Sequence, residues 1–108
     1  MTDYAPGDRW ALALYVDGAS TSSMHAIETV RRVCDEQLGG RVELEVIDVH
    51  QQPALAERDQ IFAVPTLVRR LPGPPRRIVG DLTDSAWIRL GLDFGPAELS
   101  DAQSGPDE

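Results

Sequence analysis

The 108-residue chain contains a single cysteine, Cys34, no lysine, and few aromatic side chains, 6% of the total. One cysteine cannot close an internal disulfide, which agrees with a reducing compartment and removes any multi-cysteine metal site. No apolar run approaches the roughly eighteen residues that cross a bilayer, so a membrane span is excluded. The first nine residues have neither the basic start nor the apolar stretch of a signal peptide, and a cytoplasmic location is expected. Basic residues are outnumbered, ten arginines against eighteen aspartates and glutamates, for a formal net charge of -8. Phosphate backbones require a basic surface, so nucleic acid is not an expected partner.

With 42% hydrophobic and 26% charged residues, the composition is that of one compact domain with a single core. Order is expected over about residues 10–94, and residues 95–108, rich in Gly, Pro, Ser and acidic residues, read as a mobile tail. Trp10 to Val16 is an apolar run of strand length, covered on both faces and therefore central. Ser20 to Ser23 offers capping hydroxyls, and Met24, Ile27, Val30, Cys34 and Leu38 then recur at the spacing of one helical face, ending at Gly39 and Gly40. From Val42 to Val49 apolar residues alternate and then run together around Asp48, a strand entering the sheet beside the first. Strand, helix-length crossover and strand make a right-handed βαβ unit.

Pro53 suits the first turn of a short second helix reaching about Ile61, with Leu55 and Phe62 inward. Pro65, Pro72, Pro74 and Pro75 rule out a continuous helix beyond it, because proline fixes φ, lacks an amide donor and restricts the residue before it. The apolar pairs Leu67-Val68 and Ile78-Val79 instead mark two strands joined by a turn. Asp81 to Asp84 supplies a cap for a last helix with Trp87, Leu90 and Phe94 inward, interrupted by Gly91. The order β-α-β-α-β-β-α is that of a thioredoxin-like α/β domain.

A thioredoxin-type enzyme needs an activated thiol after the first strand, beside a helix N-terminus. This chain has Asp17 to Ser23 there, and Cys34, well along the helix, reads as inert core packing. His25 and His50 are far apart and have no ligand partner at helical spacing, so they read as a solvated helix residue and a loop residue, and no metal or cofactor site is expected. The arginine pairs Arg69-Arg70 and Arg76-Arg77 flank the turn. Neighbours in a strand alternate faces, so only one of each pair can join a given surface. They form either a charged edge that discourages aggregation or an acceptor surface for carboxylates of a protein partner.

Taken together, Leu14-Tyr-Val-Asp-Gly18, Val46-Ile-Asp-Val49, Pro53-Ala-Leu-Ala-Glu57 with Asp59, Ala63-Val-Pro-Thr-Leu67, Leu71-Pro72, Arg76-Arg-Ile-Val-Gly-Asp-Leu82 and Gly91-Leu-Asp93 resemble the KaiB family of circadian clock proteins, from about Trp10 to Phe94. The resemblance implies a non-catalytic adaptor that binds a KaiC-type ATPase ring, with a KaiA-like protein or a histidine kinase carrying a KaiB-like domain as further partners. It also implies two folds: a thioredoxin-like form that binds partners, and a ground state, dimeric or tetrameric, that keeps the N-terminal βαβ unit and is rearranged after about residue 50. Arg69, Arg76, Arg77, Asp59 and Gln60 are then the candidate partner-binding residues. Pro65, Pro72, Pro74, Gly91 and Asp93 are the candidate switch residues, with the Val64-Pro65 bond cis in the thioredoxin-like form. Glu45 and Gln60 stand where the cyanobacterial pattern usually has lysine, which favours binding of a KaiC-type protein over a KaiA-type one. A thiol-transfer enzyme, and a KaiB-like adaptor in stress signalling without a clock, are the alternatives.

Overall fold

The computed structural model describes residues 9–18, 20–39 and 41–92. The expectations for Asp93, Phe94 and the acidic segment 95–108 fall outside them. Strand β1 (Trp10–Val16), helix α1 (Thr21–Leu38), β2 (Val42–Asp48), α2 (Pro53–Arg58), β3 (Thr66–Leu71), β4 (Arg76–Val79) and α3 (Ser85–Gly91) come in the expected order. The sheet runs β2-β1-β3-β4. Its first pair is parallel, because α1 carries the chain back to the start, and the other two are antiparallel.

Period-two alternation divides the sheet into two faces. Leu12, Leu14, Val16, Leu67 and Ile78 pack with Val30, Val33, Cys34 and Leu38 of α1 and with Ile88 and Leu92 at α3. On the opposite face Ala13, Tyr15, Ile47 and Val68 gather with Leu55, Ala56 and Ile61 around the much shorter α2. One face is therefore covered along its length by an 18-residue helix and the other only in part by a 6-residue one.

Local chemistry sets the helix ends. The Ser20 side chain accepts from the Ser23 amide at 3.2 Å, satisfying one of the orphan donors of α1's first turn. Pro53 opens α2, as its missing amide hydrogen allows. The Asp84 carboxylate accepts from the amides of Ala86 and Trp87 to start α3.

Three sequence expectations are corrected. Met24 is 53% exposed, and the inner face of α1 is carried by Ala26, Val30, Val33 and Cys34. The spacing was right, but α1 is rotated so that small Ala26, rather than Met24, approaches the sheet. Phe62 is 89% exposed, because α2 ends at Arg58 and Gln60 takes a left-handed φ of 56°. In α3 the buried residue is Ile88, followed by Leu92 beyond its end, while Leu90 is 62% exposed and Trp87 half-exposed. A seven-residue helix offers too few turns for periodicity to choose between adjacent faces.

Two substitutions in α3 test this arrangement. Ile88→Ala should destabilise the protein by about 2–4 kcal/mol through loss of buried contacts and cavity formation. Leu90→Ala should change stability by no more than about 0.5 kcal/mol, as surface changes do. Urea denaturation measures both, and equal losses would contradict the placement of α3.

Candidate docking surface

At the open end of α2 four polar side chains from four elements converge. The Asp59 carboxylate, at the C-cap of α2, accepts hydrogen bonds from the Tyr15 hydroxyl of β1 and, at 2.7 Å, from the Arg70 guanidinium of β3. Arg70 also donates to the Tyr15 oxygen at 3.1 Å and lies 3.5 Å from the Glu45 carboxylate of β2. The hydrogen bond from Tyr15, reinforced by Arg70 and opposed by partial burial, holds the Asp59 carboxyl below its ordinary range. Burial and the neighbouring Asp59 push the Tyr15 phenol up. From β4, Arg77 donates to the carbonyls of Asp59 and Gln60 and so satisfies acceptors left open where α2 stops.

Around this cluster lies a groove of about 480 Å³ lined by Arg58, Asp59, Gln60, Val68, Arg70, Pro75, Arg76 and Arg77. Four arginines face one carboxylate there, and that carboxylate is already engaged. On the far side of β4, Arg76 and Arg77 also line a smaller groove of about 220 Å³ with Ile78, Val79, Trp87, Leu90 and Gly91. Trp87 is fixed in it by an indole hydrogen bond to the Val79 carbonyl at 2.8 Å. Gly80, at φ 118°, passes so close that a Cβ there would sit 3.0 Å from the indole nitrogen. Beside α2, Phe62 and Ile61 line a hollow with Val49, Pro53 and Ala56, with Glu57 and Gln60 also on its wall.

The residues singled out in the sequence divide. Arg76, Arg77, Gln60 and Asp59 come together at the basic groove; the expectation that only one arginine of this pair could join a given surface is corrected, because β4 is a four-residue edge strand on which both side chains are exposed. Arg69 does not join them: it is 3% exposed, on the opposite face, with its guanidinium 5.8 Å from the Trp10 ring centroid and donating to the Pro74 carbonyl. A surface role for Arg69 is thereby corrected. Its neighbour Arg70 reaches the groove, as strand alternation requires once Val68 faces α2. Arg70, Arg58 and Tyr15 were missed; the signal was the shared parity of Val68 and Arg70, which has no meaning until the pairing of β3 with β1 is known. The peptide bonds before Pro65, Pro72 and Pro74 are all cis. Gly91 packs on Ile78, whose side chain would lie 2.7 Å from an added Cβ.

No thiol stands where a redox centre would be. After β1 two hydroxyls are engaged by the backbone, Ser23 accepting from the Asp17 amide at 2.9 Å and Ser20 capping α1. Cys34 is buried under α1, and burial pushes its thiol up to about 11, far from the thiolate a nucleophile requires. His25 is exposed on α1, and exposed His50 pairs with Asp17 at 2.6 Å. Among the described residues no three His, Cys, Asp or Glu side chains are grouped to hold a metal ion, and no helix is long and apolar enough to cross a membrane.

These features define a thioredoxin-like domain without a redox thiol. The chain belongs to the KaiB family, whose KaiB domain model matches residues 13–94. It is 46% identical over 97 residues to the circadian clock oscillator protein KaiB of Synechococcus sp. (strain RCC307), covering 90% of this chain and 88% of that one. It is 42% identical to the circadian clock protein KaiB3 of Synechocystis sp. (strain ATCC 27184 / PCC 6803 / Kazusa), covering 85% and 90%. Among solved structures, the N-terminal domain of SasA from Synechococcus elongatus matches at a TM-score of 0.65 and 28% identity, over 99% of this chain and 97% of that one. The thioredoxin of Fasciola hepatica matches at a TM-score of 0.66 over 81% of each chain, but at 19% identity it shares the fold alone.

The Asp59 cluster predicts a pH signature. Because the folded carboxyl is held below its ordinary value of about 3.9, its charge stabilises the fold fully above that value, and the gain is lost as pH falls through the lowered folded value. Asp59→Asn should therefore cost about 1–3 kcal/mol at pH 7, and the gap to the unsubstituted protein should narrow below about pH 4. Urea denaturation across that range measures it; a gap constant with pH would show that the charge is irrelevant.

Proposed function

We propose that this protein is a non-catalytic regulator that docks on a KaiC-type ATPase ring and alters the ring's phosphorylation state or output. The carrying observation is the placement of Arg76 and Arg77 on a four-residue strand between a basic groove and an apolar one. An interface needs a desolvated apolar anchor beside charges that select the partner. Trp87, Leu90 and Val79 supply the anchor, all substantially exposed, and the arginines supply bidentate donors for carboxylates. Family membership supports the ring ATPase as partner. The likeness to the SasA N-terminal domain supports a second consequence: a histidine kinase carrying such a domain presents a similar outline and competes for the same place. A KaiA-like protein is a weaker partner, since Glu45 is an acid engaged with Arg70 at a position where the family pattern is usually basic.

In this reading the thioredoxin-like arrangement is the partner-binding form. A homo-oligomeric ground state keeps β1, α1 and β2 and repacks the elements beyond them. The unequal covering of the sheet supports this: β1, α1 and β2 share a long core, while the later elements are 6, 6, 4 and 7 residues long, so that two packings can lie within a few kcal/mol.

Co-migration of the purified protein with a KaiC-type ring in the presence of nucleotide tests the proposal. Arg76→Glu should weaken the association at least about tenfold by placing like charge at the interface, whereas Cys34→Ser should leave it unchanged. Absence of any association under several nucleotide states, or loss of function on Cys34→Ser alone, would overturn it.

A further inference from the structure

Helix α2 has no buried residue. Leu55 and Ala56 are only half-buried, and Gln52 before them makes no side-chain cap. By contrast α1 buries residues along its length, from Ser23 to Leu38. A segment with so little apolar cover opens readily unless something else ties it down. Two polar ties do so here. Asp59, at the end of α2, is held by the Tyr15 hydroxyl and the Arg70 guanidinium, and Arg77 donates to the carbonyls of Asp59 and Gln60.

We propose that α2 is a flap that turns about Gln52 and Gln60, that Tyr15 and Arg70 catch it through Asp59, and that the basic groove exists only while it is shut. What this means for a partner rests on the docking reading of the groove; the flap itself does not.

The catch has a fixed half and a moving half. Tyr15 of β1 is fully buried. Arg70 of β3 is braced by the Tyr15 oxygen at 3.1 Å and by the Glu45 carboxylate of β2 at 3.5 Å, so both stay with the sheet when Asp59 leaves. The donors of Arg70 are thereby committed to holding α2. On the moving side Gln60 has a φ of 56°, in the left-handed region that a residue with a Cβ adopts at a cost, and opening releases that strain. Opposing it, the shut flap covers Ala13, Tyr15, Ile47 and Val68, the apolar patch on this face of the sheet, which keeps the open form a minor one.

The groove depends on the shut form because Arg58, Asp59 and Gln60 build one of its walls. Opening removes that wall and takes from Arg77 the two carbonyls that orient its guanidinium. Tyr15 does not line the groove. It is a positioning residue, acting on the groove through Asp59.

Amide hydrogen exchange of the full chain, read by NMR in low urea, tests the flap. The amides of Ala56, Asp59 and Ile61, which donate to carbonyls of Gln52, Leu55 and Ala56, should be at least about tenfold less protected than those of β1. Urea should barely promote their opening, while exchange in β1 should follow global unfolding. Tyr15→Phe keeps the ring and loses the hydroxyl, and should speed α2 exchange about tenfold, as loss of a hydrogen bond to a charged group does. Asp59→Asn should do the same from the moving side. Because both substitutions weaken one bond, the double variant should fall well short of the product of the two. Amides of α2 as protected and as urea-dependent as those of β1 overturn the flap, and fully multiplicative effects overturn the catch. A KaiC-type ring at about ten times its dissociation constant should slow α2 exchange about tenfold, since a partner that needs the shut form opposes opening; an unchanged rate in the bound chain overturns the link to the groove. Failure to bind any ring overturns the docking reading alone, and exchange in the free chain still decides the flap.

Discussion

The architecture depends on the unequal covering of one four-stranded sheet. On one face an 18-residue helix and α3 bury a continuous apolar core. On the other, α2 is only six residues long, and the area it leaves uncovered cannot be closed by apolar contact. Polar side chains complete the seal. Tyr15, Arg70 and Glu45 project from three adjacent strands and meet Asp59 where α2 stops. Charged hydrogen bonds in a partly dry setting are stronger than surface ion pairs but are conditional on every member being present. The position of α2 is thus tied to a cluster that holds only when β1, β2 and β3 lie in this order.

The same incomplete cover leaves the basic groove open at the end of α2. Arg77 spends its guanidinium on the carbonyls at the end of α2, and in doing so brings β4 and its neighbour Arg76 to the rim of the groove. Arg77 is thus committed to the fold, and both arginines of the pair are exposed and line the groove. The absence of a usable thiol fits this picture. At the start of α1 the Ser20 hydroxyl caps the helix and that of Ser23 accepts from the Asp17 amide, and the single sulfur lies in the core with its proton held by burial.

Much of the front of the molecule is legible in the sequence. The apolar run Trp10 to Val16, the capping serines and the alternation after Val42 each carry one dominant signal, and local preference and tertiary packing agree. In the second half the signals are short and compete. Leu90 and Trp87 looked inward because helical periodicity cannot be phased over seven residues, and Phe62 looked inward because the stop of α2 depends on Gln60 adopting a left-handed backbone that no local rule anticipates. Arg69 and Arg70 differ by a single position, and parity places one beneath Trp10 and the other beside Asp59; only the register with β1 settles which.

The sequence by itself determined the element order, the central place of β1, the buried fate of Cys34, the lack of a redox thiol and the kinship with KaiB proteins, because each arises from patterns confined to neighbouring residues or from the identity of residues in order. Tertiary structure decided that Arg70 and not Arg69 reaches the basic groove, how Asp59 is engaged, and that two grooves share Arg76 and Arg77. Those are properties of residues brought together from β1, β2, α2, β3 and β4, and pairing across a sheet is a long-range choice that no single segment encodes.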